Sequence, residues 1–199
     1  MSGKNEPQTP SPRAQIAVVF PGIGYHKDKP LLYYATKLVQ AAGYDVIHIE
    51  YHDMPQKIRG NAEMMKKAAL LAIEQTEEQL KAVKFSDYEK VLLVGKSIGT
   101  VVLAKYASDH NLNAKQVWYT PVEATFSYPG EDVIAFIGDA DPWSDVSVVK
   151  EKAASLGISL HSYPDCNHSL ETGDVNTDTR IIHEVMGLTE RFLDPRGRG

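Results

Sequence analysis

The run Val91-Leu92-Leu93-Val94 passes directly into Gly95-Lys96-Ser97-Ile98-Gly99, and residues 98–109 then read as a helix. A short, unbroken apolar run is the pattern of a strand buried on both faces, as in a parallel sheet covered by helices on each side. A strand that reaches a helix through so short a glycine-flanked turn fixes the local topology. Gln15-Ile16-Ala17-Val18-Val19-Phe20 is a second run of the same kind. Weaker strand patterns lie at 45–51, 115–120, 132–137 and 158–163. The stretch 45–51 alternates, which predicts one wetter face.

Helical patterns fill the gaps. Within 61–83, Ala62, Met65, Ala69, Ala72, Thr76, Leu80 and Val83 recur at steps of three and four, with Glu77, Glu78 and Lys81 on the opposite side. Pro30 suits the first turn of a helix over 30–42, and Gly43 suits its end. Residues 98–109, 145–156 and 176–193 complete the set. The order β-α-β-α-β-α-β-loop-β-α-β-α predicts an α/β fold, a three-layer sandwich around a mostly parallel sheet of about six strands. Residues 14–193 read as one domain. The Pro- and Ser-containing segment 1–13 and the segment 194–199 read as flexible tails.

Composition narrows the functional classes. Across 199 residues, 26 acidic against 21 basic side chains give a net charge of −5 with no basic stretch, which argues against a nucleic-acid partner. A single cysteine, Cys166, excludes an intrachain disulfide and a thiolate zinc cluster. No apolar run is long enough to span a bilayer, and the N-terminus has no apolar signal segment. The expectation is a cytoplasmic protein with no membrane partner.

In a parallel sheet of this type the active site forms at the carboxyl ends of the strands. Gly95-Lys96-Ser97-Ile98-Gly99 sits at such an end. Gly-x-Ser-x-Gly between a strand and a helix is the pattern of a nucleophile elbow. The glycines leave room for the chain to pass closely, the serine oxygen stands above the sheet, and the Ile98 amide at the helix start faces the same point. A phosphate-binding loop is excluded, because its first glycine would fall at Lys90. A dinucleotide-binding loop is disfavoured too, since His26-Lys27 stands where the third glycine belongs.

A serine nucleophile needs a base and an acid, in the chain order Ser, Asp, His. Gly138-Asp139-Ala140-Asp141-Pro142-Trp143 follows one predicted strand, and Pro164-Asp165-Cys166-Asn167-His168-Ser169 follows the last. His168 is the candidate base. Asp141 is the candidate acid, with Asp139 as the alternative. Cys166 shares the histidine loop but has no base of its own. Tyr25, Tyr119 and Trp143, at strand ends, are expected to line the pocket, and His26, His48 and His52 to serve substrate-side or surface roles.

On these residues the sequence resembles the α/β-hydrolase superfamily, in particular its small, lidless, dienelactone-hydrolase-like members. The resemblance covers nearly all of 14–193. It rests on the elbow at Ser97, the Gly-x-x-Asp turn ending at Asp141, the histidine turn at His168 and Phe20-Pro21-Gly22-Ile23-Gly24 after the first strand. It implies a minimal α/β-hydrolase fold without a cap domain, a Ser97-His168-Asp141 triad, and the Ile23 and Ile98 amides as an oxyanion hole. Two departures stand out. Pro21 replaces the histidine that often opens the oxyanion loop, and the first two strands of the full superfamily sheet have no counterpart. Only Pro121 to Glu131 separate the two strands between which many members insert a lid, so the site is expected to be open. The implied activity is serine hydrolysis of a small ester-like substrate without cofactor or metal. The same triad would also serve a thioesterase, a peptidase or an acyltransferase. An idle triad would leave a binding or scaffold protein.

Overall fold

Alternation along the apolar runs builds the core from both sides of one sheet. In the computed structural model, which describes residues 14–56 and 58–194, the strands are β1 (Gln15–Phe20), β2 (Asp45–His48), β3 (Lys90–Lys96), β4 (Lys115–Tyr119), β5 (Val133–Gly138) and β6 (Ser159–Tyr163). They lie in the order β2-β1-β3-β4-β5-β6, and every neighbouring pair is parallel. The segments 1–13 and 195–199, expected as tails, lie outside the described residues.

Among the described residues five α-helices flank the sheet, four between strands and the last after β6: α1 (Pro30–Ala41), α2 (Ala62–Leu80), α3 (Ile98–Asp109), α4 (Val146–Ser155) and α5 (Val175–Leu193). Ile16, Val18 and Phe20 of β1 face a core completed by α2, α3 and α4, with Ala72, Leu103 and Val149 among its members. Ala17 and Val19 face the opposite core, which is closed by Leu31 and Leu32 of α1 and by Val185 of α5. The result is the expected three-layer sandwich. Among the described residues no helix is long and apolar enough to cross a membrane.

The chain runs from β1 to β2 at the sheet edge and returns to β3 on the other side of β1. The order therefore reverses between β1 and β3, and a crevice opens at their carboxyl ends. That reversal places the loop after β1 beside the turn after β3.

The β2 strand is shorter than its sequence pattern, and α2 supplies the reason. Beyond His48, the Glu50 amide donates to Gln79 Oε1 at 3.0 Å, and Gln79 Nε2 donates to the Glu50 carbonyl at 2.8 Å. Gln75 repeats both bonds with His52, each at 2.8 Å. Four residues of helix rise about 6 Å, and two residues of extended chain about 6.7 Å, so the two amides match alternate backbone positions. The chain after β2 is thus hydrogen-bonded to a helix in place of a strand. Gln79→Ala should lower stability by about 1–2 kcal/mol and speed amide exchange at Glu50, with Gln75→Ala doing the same at His52. Urea denaturation and hydrogen exchange by NMR would check both.

Candidate active site

The turn after β3 is possible because two side chains are missing. A Cβ on Gly95 would stand 2.3 Å from Leu103 Cδ2 and 2.8 Å from the Gly99 carbonyl oxygen. A Cβ on Gly99 would stand 2.4 Å from the carbonyl oxygen of Phe20. Without them, α3 starts with only Ser97 between it and the end of β3, and presses against β1. Between the two elements Ser97 adopts φ 55° and ψ −124°, a conformation that L-residues rarely hold. Its amide donates to the Tyr119 carbonyl at 3.0 Å. Its carbonyl accepts from the Thr100 amide at 2.8 Å and from Thr100 Oγ1 at 2.6 Å.

The loops after β5 and β6 meet in the same manner. A Cβ on Gly138 would stand 2.1 Å from the Cys166 carbonyl oxygen. The Ala140 amide donates to that carbonyl at 3.0 Å, and the Asp139 amide to the Tyr163 carbonyl at 2.9 Å. Asn167 clamps the histidine turn, its Oδ1 accepting from the Ser169 amide at 2.7 Å. Cys166 is fully buried.

These backbones bring Ser97, His168 and Asp141 into one hydrogen-bonded chain. His168 Nε2 lies 2.7 Å from Ser97 Oγ, and His168 Nδ1 lies 2.6 Å from Asp141 Oδ2. Asp141 Oδ1 also accepts from the Trp143 amide at 2.9 Å. Asp139 points elsewhere and pairs with Lys150 at 2.9 Å. Burial holds the His168 imidazole below its ordinary pKa; the bond to Asp141 opposes this and the nearby Lys96 cation adds to it. Among the described residues no group of three or more His, Cys, Asp or Glu side chains is arranged to hold a metal ion.

Lys96, which the sequence shows only as a spacer in the elbow, is 2% exposed. Its ammonium lies 4.7 Å from the centroid of the Tyr25 ring. Burial pushes its pKa down from 10.5 to about 7, partly offset by Asp141 and Glu171. Tyr25 is itself buried, its hydroxyl oxygen accepting from the Leu31 amide at 3.1 Å. Tyr119, expected at the pocket, belongs to the core instead: it is fully buried and hydrogen-bonded to Thr189 at 2.9 Å.

The loop after β1 closes on itself through reciprocal bonds between Gly22 and Tyr25 of 3.1 and 3.2 Å. A Cβ on Gly22 would lie 3.3 Å from Ser97 Cβ, so this loop runs against the elbow. Ile23 and Ile98 line one crevice with Ser97, His168, Ile58, Met65 and Trp143. The Trp143 ring stacks on His168 at 5.5 Å and 25°, and Arg59 lies 5.8 Å from the Trp143 ring centroid.

The crevice is narrow, with Ser97 and His168 both partly exposed. Its volume is about 30 Å³, because Ile58 and the first turns of α2 pack over Ile98 together with Met65 and Trp143. No lid is inserted between β4 and β5, where only a short 3₁₀ turn, Glu123–Ser127, occurs. The cover comes instead from the segment between β2 and α2. Ile58, an isolated apolar residue in a polar loop, was the available signal. Larger grooves flank the crevice, one of about 440 Å³ beside Ile23, Tyr51 and Met54, the other of about 450 Å³ beside Arg59, Met65 and Trp143.

Neither a protein-family model nor a curated protein sequence matches the chain. Solved structures do. A serine hydrolase without a lid from Xanthomonas campestris superposes with a TM-score of 0.66 at 16% identity, covering 98% of this chain and 88% of that one. An esterase from Pyrococcus furiosus gives 0.63 at 12%, covering 92% and 83%. Est1E from Butyrivibrio proteoclasticus, solved with ferulic acid bound, gives 0.64 at 10%, covering 95% and 93%. With its six parallel strands and no inserted lid, the chain has the α/β-hydrolase fold in its lidless form.

Proposed function

We propose that the protein is a serine hydrolase that cleaves an ester-like acyl bond through an acyl-enzyme on Ser97. The observation that carries this reading is the unbroken hydrogen-bonded chain Ser97–His168–Asp141 at the carboxyl ends of β3, β5 and β6. The names of the structural relatives, among them a serine hydrolase and an esterase, support it.

In this reading Ser97 Oγ attacks the carbonyl carbon and His168 Nε2 takes its proton. Asp141 holds the Nδ1–H tautomer and stabilises the imidazolium. The displaced electron pair moves onto the carbonyl oxygen, which the amides of Ile23 and Ile98 receive, each worth about 3–4 kcal/mol. The amide of Ile98 is the first of α3, where backbone donors are free of helical partners. The tetrahedral centre collapses, the bond to the leaving oxygen breaks, and His168 returns its proton to that oxygen. Water then repeats the sequence and frees the acid.

Proton return fixes a direction. The leaving group must depart on the His168 side, where Trp143 stacks and the groove with Arg59 begins. The acyl part then extends past Ile23 into the groove with Tyr51 and Met54. The narrow crevice itself holds little more than the reacting centre, which favours small, slender acyl donors.

Purified protein treated with a serine-reactive phosphonate should gain one adduct by intact mass, and Ser97→Ala and His168→Ala should gain none. An unlabelled wild type at neutral pH would overturn the reading. The sign of the His168 shift gives a second expectation. Its pKa is lowered in the fold, so the neutral base persists below pH 6.5 and is lost only as pH falls further. The labelling rate at pH 6.5 should exceed half its plateau, then fall about tenfold per pH unit below the His168 pKa.

A further inference from the structure

Between Tyr51 and α2 the other described residues are exposed or half-buried, whereas Ile58 is 6% exposed. Ile58 forms one buried cluster with Ala68 of α2 and Ile98 at the start of α3, and Ile23, Met65 and Trp143 pack against that cluster. Its backbone is held by the helix that follows. The Ile58 carbonyl accepts from the Asn61 amide at 3.0 Å, across a turn in which Gly60 has φ 73°. Asn61 in turn caps α2, its Oδ1 accepting from the Met64 amide at 3.0 Å and its carbonyl from the Met65 amide at 2.9 Å. Side-chain packing and the start of α2 thus anchor the residue together. The narrow crevice shares Ile23 with the groove of about 440 Å³, and Met65 and Trp143 with the groove of about 450 Å³. Ile58, Ser97, Ile98 and His168 line the crevice and neither groove. The proposed reaction gives a part to each of these four except Ile58.

We propose that Ile58 is a specificity-determining residue, an anchored wall beside Ser97 that admits unbranched acyl groups and turns away those branched at the carbon next to the carbonyl. The inference rests on the serine-hydrolase reading. The carbon next to the carbonyl is one bond from the atom that Ser97 attacks, so it must lie in the crevice itself. An unbranched chain needs only the width of a methylene there, and its later carbons continue past Ile23 into the wider groove. Length is therefore tolerated. A branch at the first carbon needs its room inside a crevice of about 30 Å³, where Ile58 meets it. A close-packed side chain yields little to an added carbon. One methylene in an apolar pocket shifts discrimination by about 10- to 200-fold.

Labelling by ethyl p-nitrophenyl phosphonates tests this in wild type, Ile58→Ala and Ile58→Val. The alkyl group on phosphorus is n-propyl, isopropyl or n-pentyl, and it takes the place of the acyl chain. Ser97 Oγ bonds to phosphorus, His168 takes its proton, and p-nitrophenolate leaves and is read by its colour. The quantity compared between proteins is the ratio of the isopropyl rate to the n-propyl rate, so the intrinsic reactivity of each reagent cancels. Ile58→Ala should raise that ratio by about tenfold or more. Ile58→Val, which loses one carbon, should raise it by less. The ratio of the n-pentyl rate to the n-propyl rate should be similar in all three proteins. Thermal melts report folding, and Ile58→Ala should melt lower because it empties buried space. Where it is too unstable to assay, the Ile58→Val ratio decides. An unchanged isopropyl ratio in a folded variant would overturn the proposal, as would slowing by one factor with every reagent, the mark of packing alone. An n-pentyl ratio that rises with the isopropyl ratio would overturn it too, since Ile58 would then limit length. If wild type takes no n-propyl label, the hydrolase reading fails and the proposal with it; a labelled wild type with unchanged ratios overturns the proposal alone.

Discussion

The close approach of α3 to the end of β1 is the constraint on which the site depends. A Cβ on Gly99 would meet the carbonyl oxygens of Phe20 and Pro21 at 2.4 and 2.6 Å, and these are backbone atoms with nowhere to go. Only a bare Cα lets the helix start where it does. Once it does, Ser97 is left with one residue in which to turn the chain, and a positive φ follows. Such a conformation costs about 1–3 kcal/mol. The bonds to Tyr119 and Thr100 hold it, with Thr100 Oγ1 itself fixed by Thr125 at 2.7 Å. The same approach lays the loop after β1 against the serine, so the serine and the proposed amide donors share one steric cause.

The second half of the site uses the same device. Gly138 lets the loop after β5 lie on the backbone of Cys166 and Asn167, and the order of the sheet makes these two loops neighbours. Asp141 and His168 are 27 residues apart in sequence yet 2.6 Å apart at their polar atoms. Because both backbones are fixed by main-chain hydrogen bonds, the imidazole has little freedom to leave Ser97. Trp143, whose amide bonds Asp141 and whose ring stacks on His168, ties the acid and the base once more.

The architecture was legible because each strand is an apolar run and each helix an amphipathic one. β1, α3 and the element order follow directly from those patterns. The contacts among Ser97, His168 and Asp141 were legible for a related reason: strand-end loops of a parallel sheet converge. What the sequence hides are properties that arise only between elements. Gln75 and Gln79 look like ordinary surface amides, yet they end β2 by matching its spacing. Lys96 looks like a solvated spacer, yet the turn drives it inward. Tyr119 stands at a strand end, but its side chain points into the layer under α5. The site expected to be open is narrowed, because Ile58 and Met65 from elsewhere in the chain pack beside it where no inserted lid does.

That narrowing alters the electrostatics as much as the access. Apolar side chains beside Ser97 reduce its contact with water, and charges interact more strongly where water is scarce. Helix-start amides then gain strength as donors.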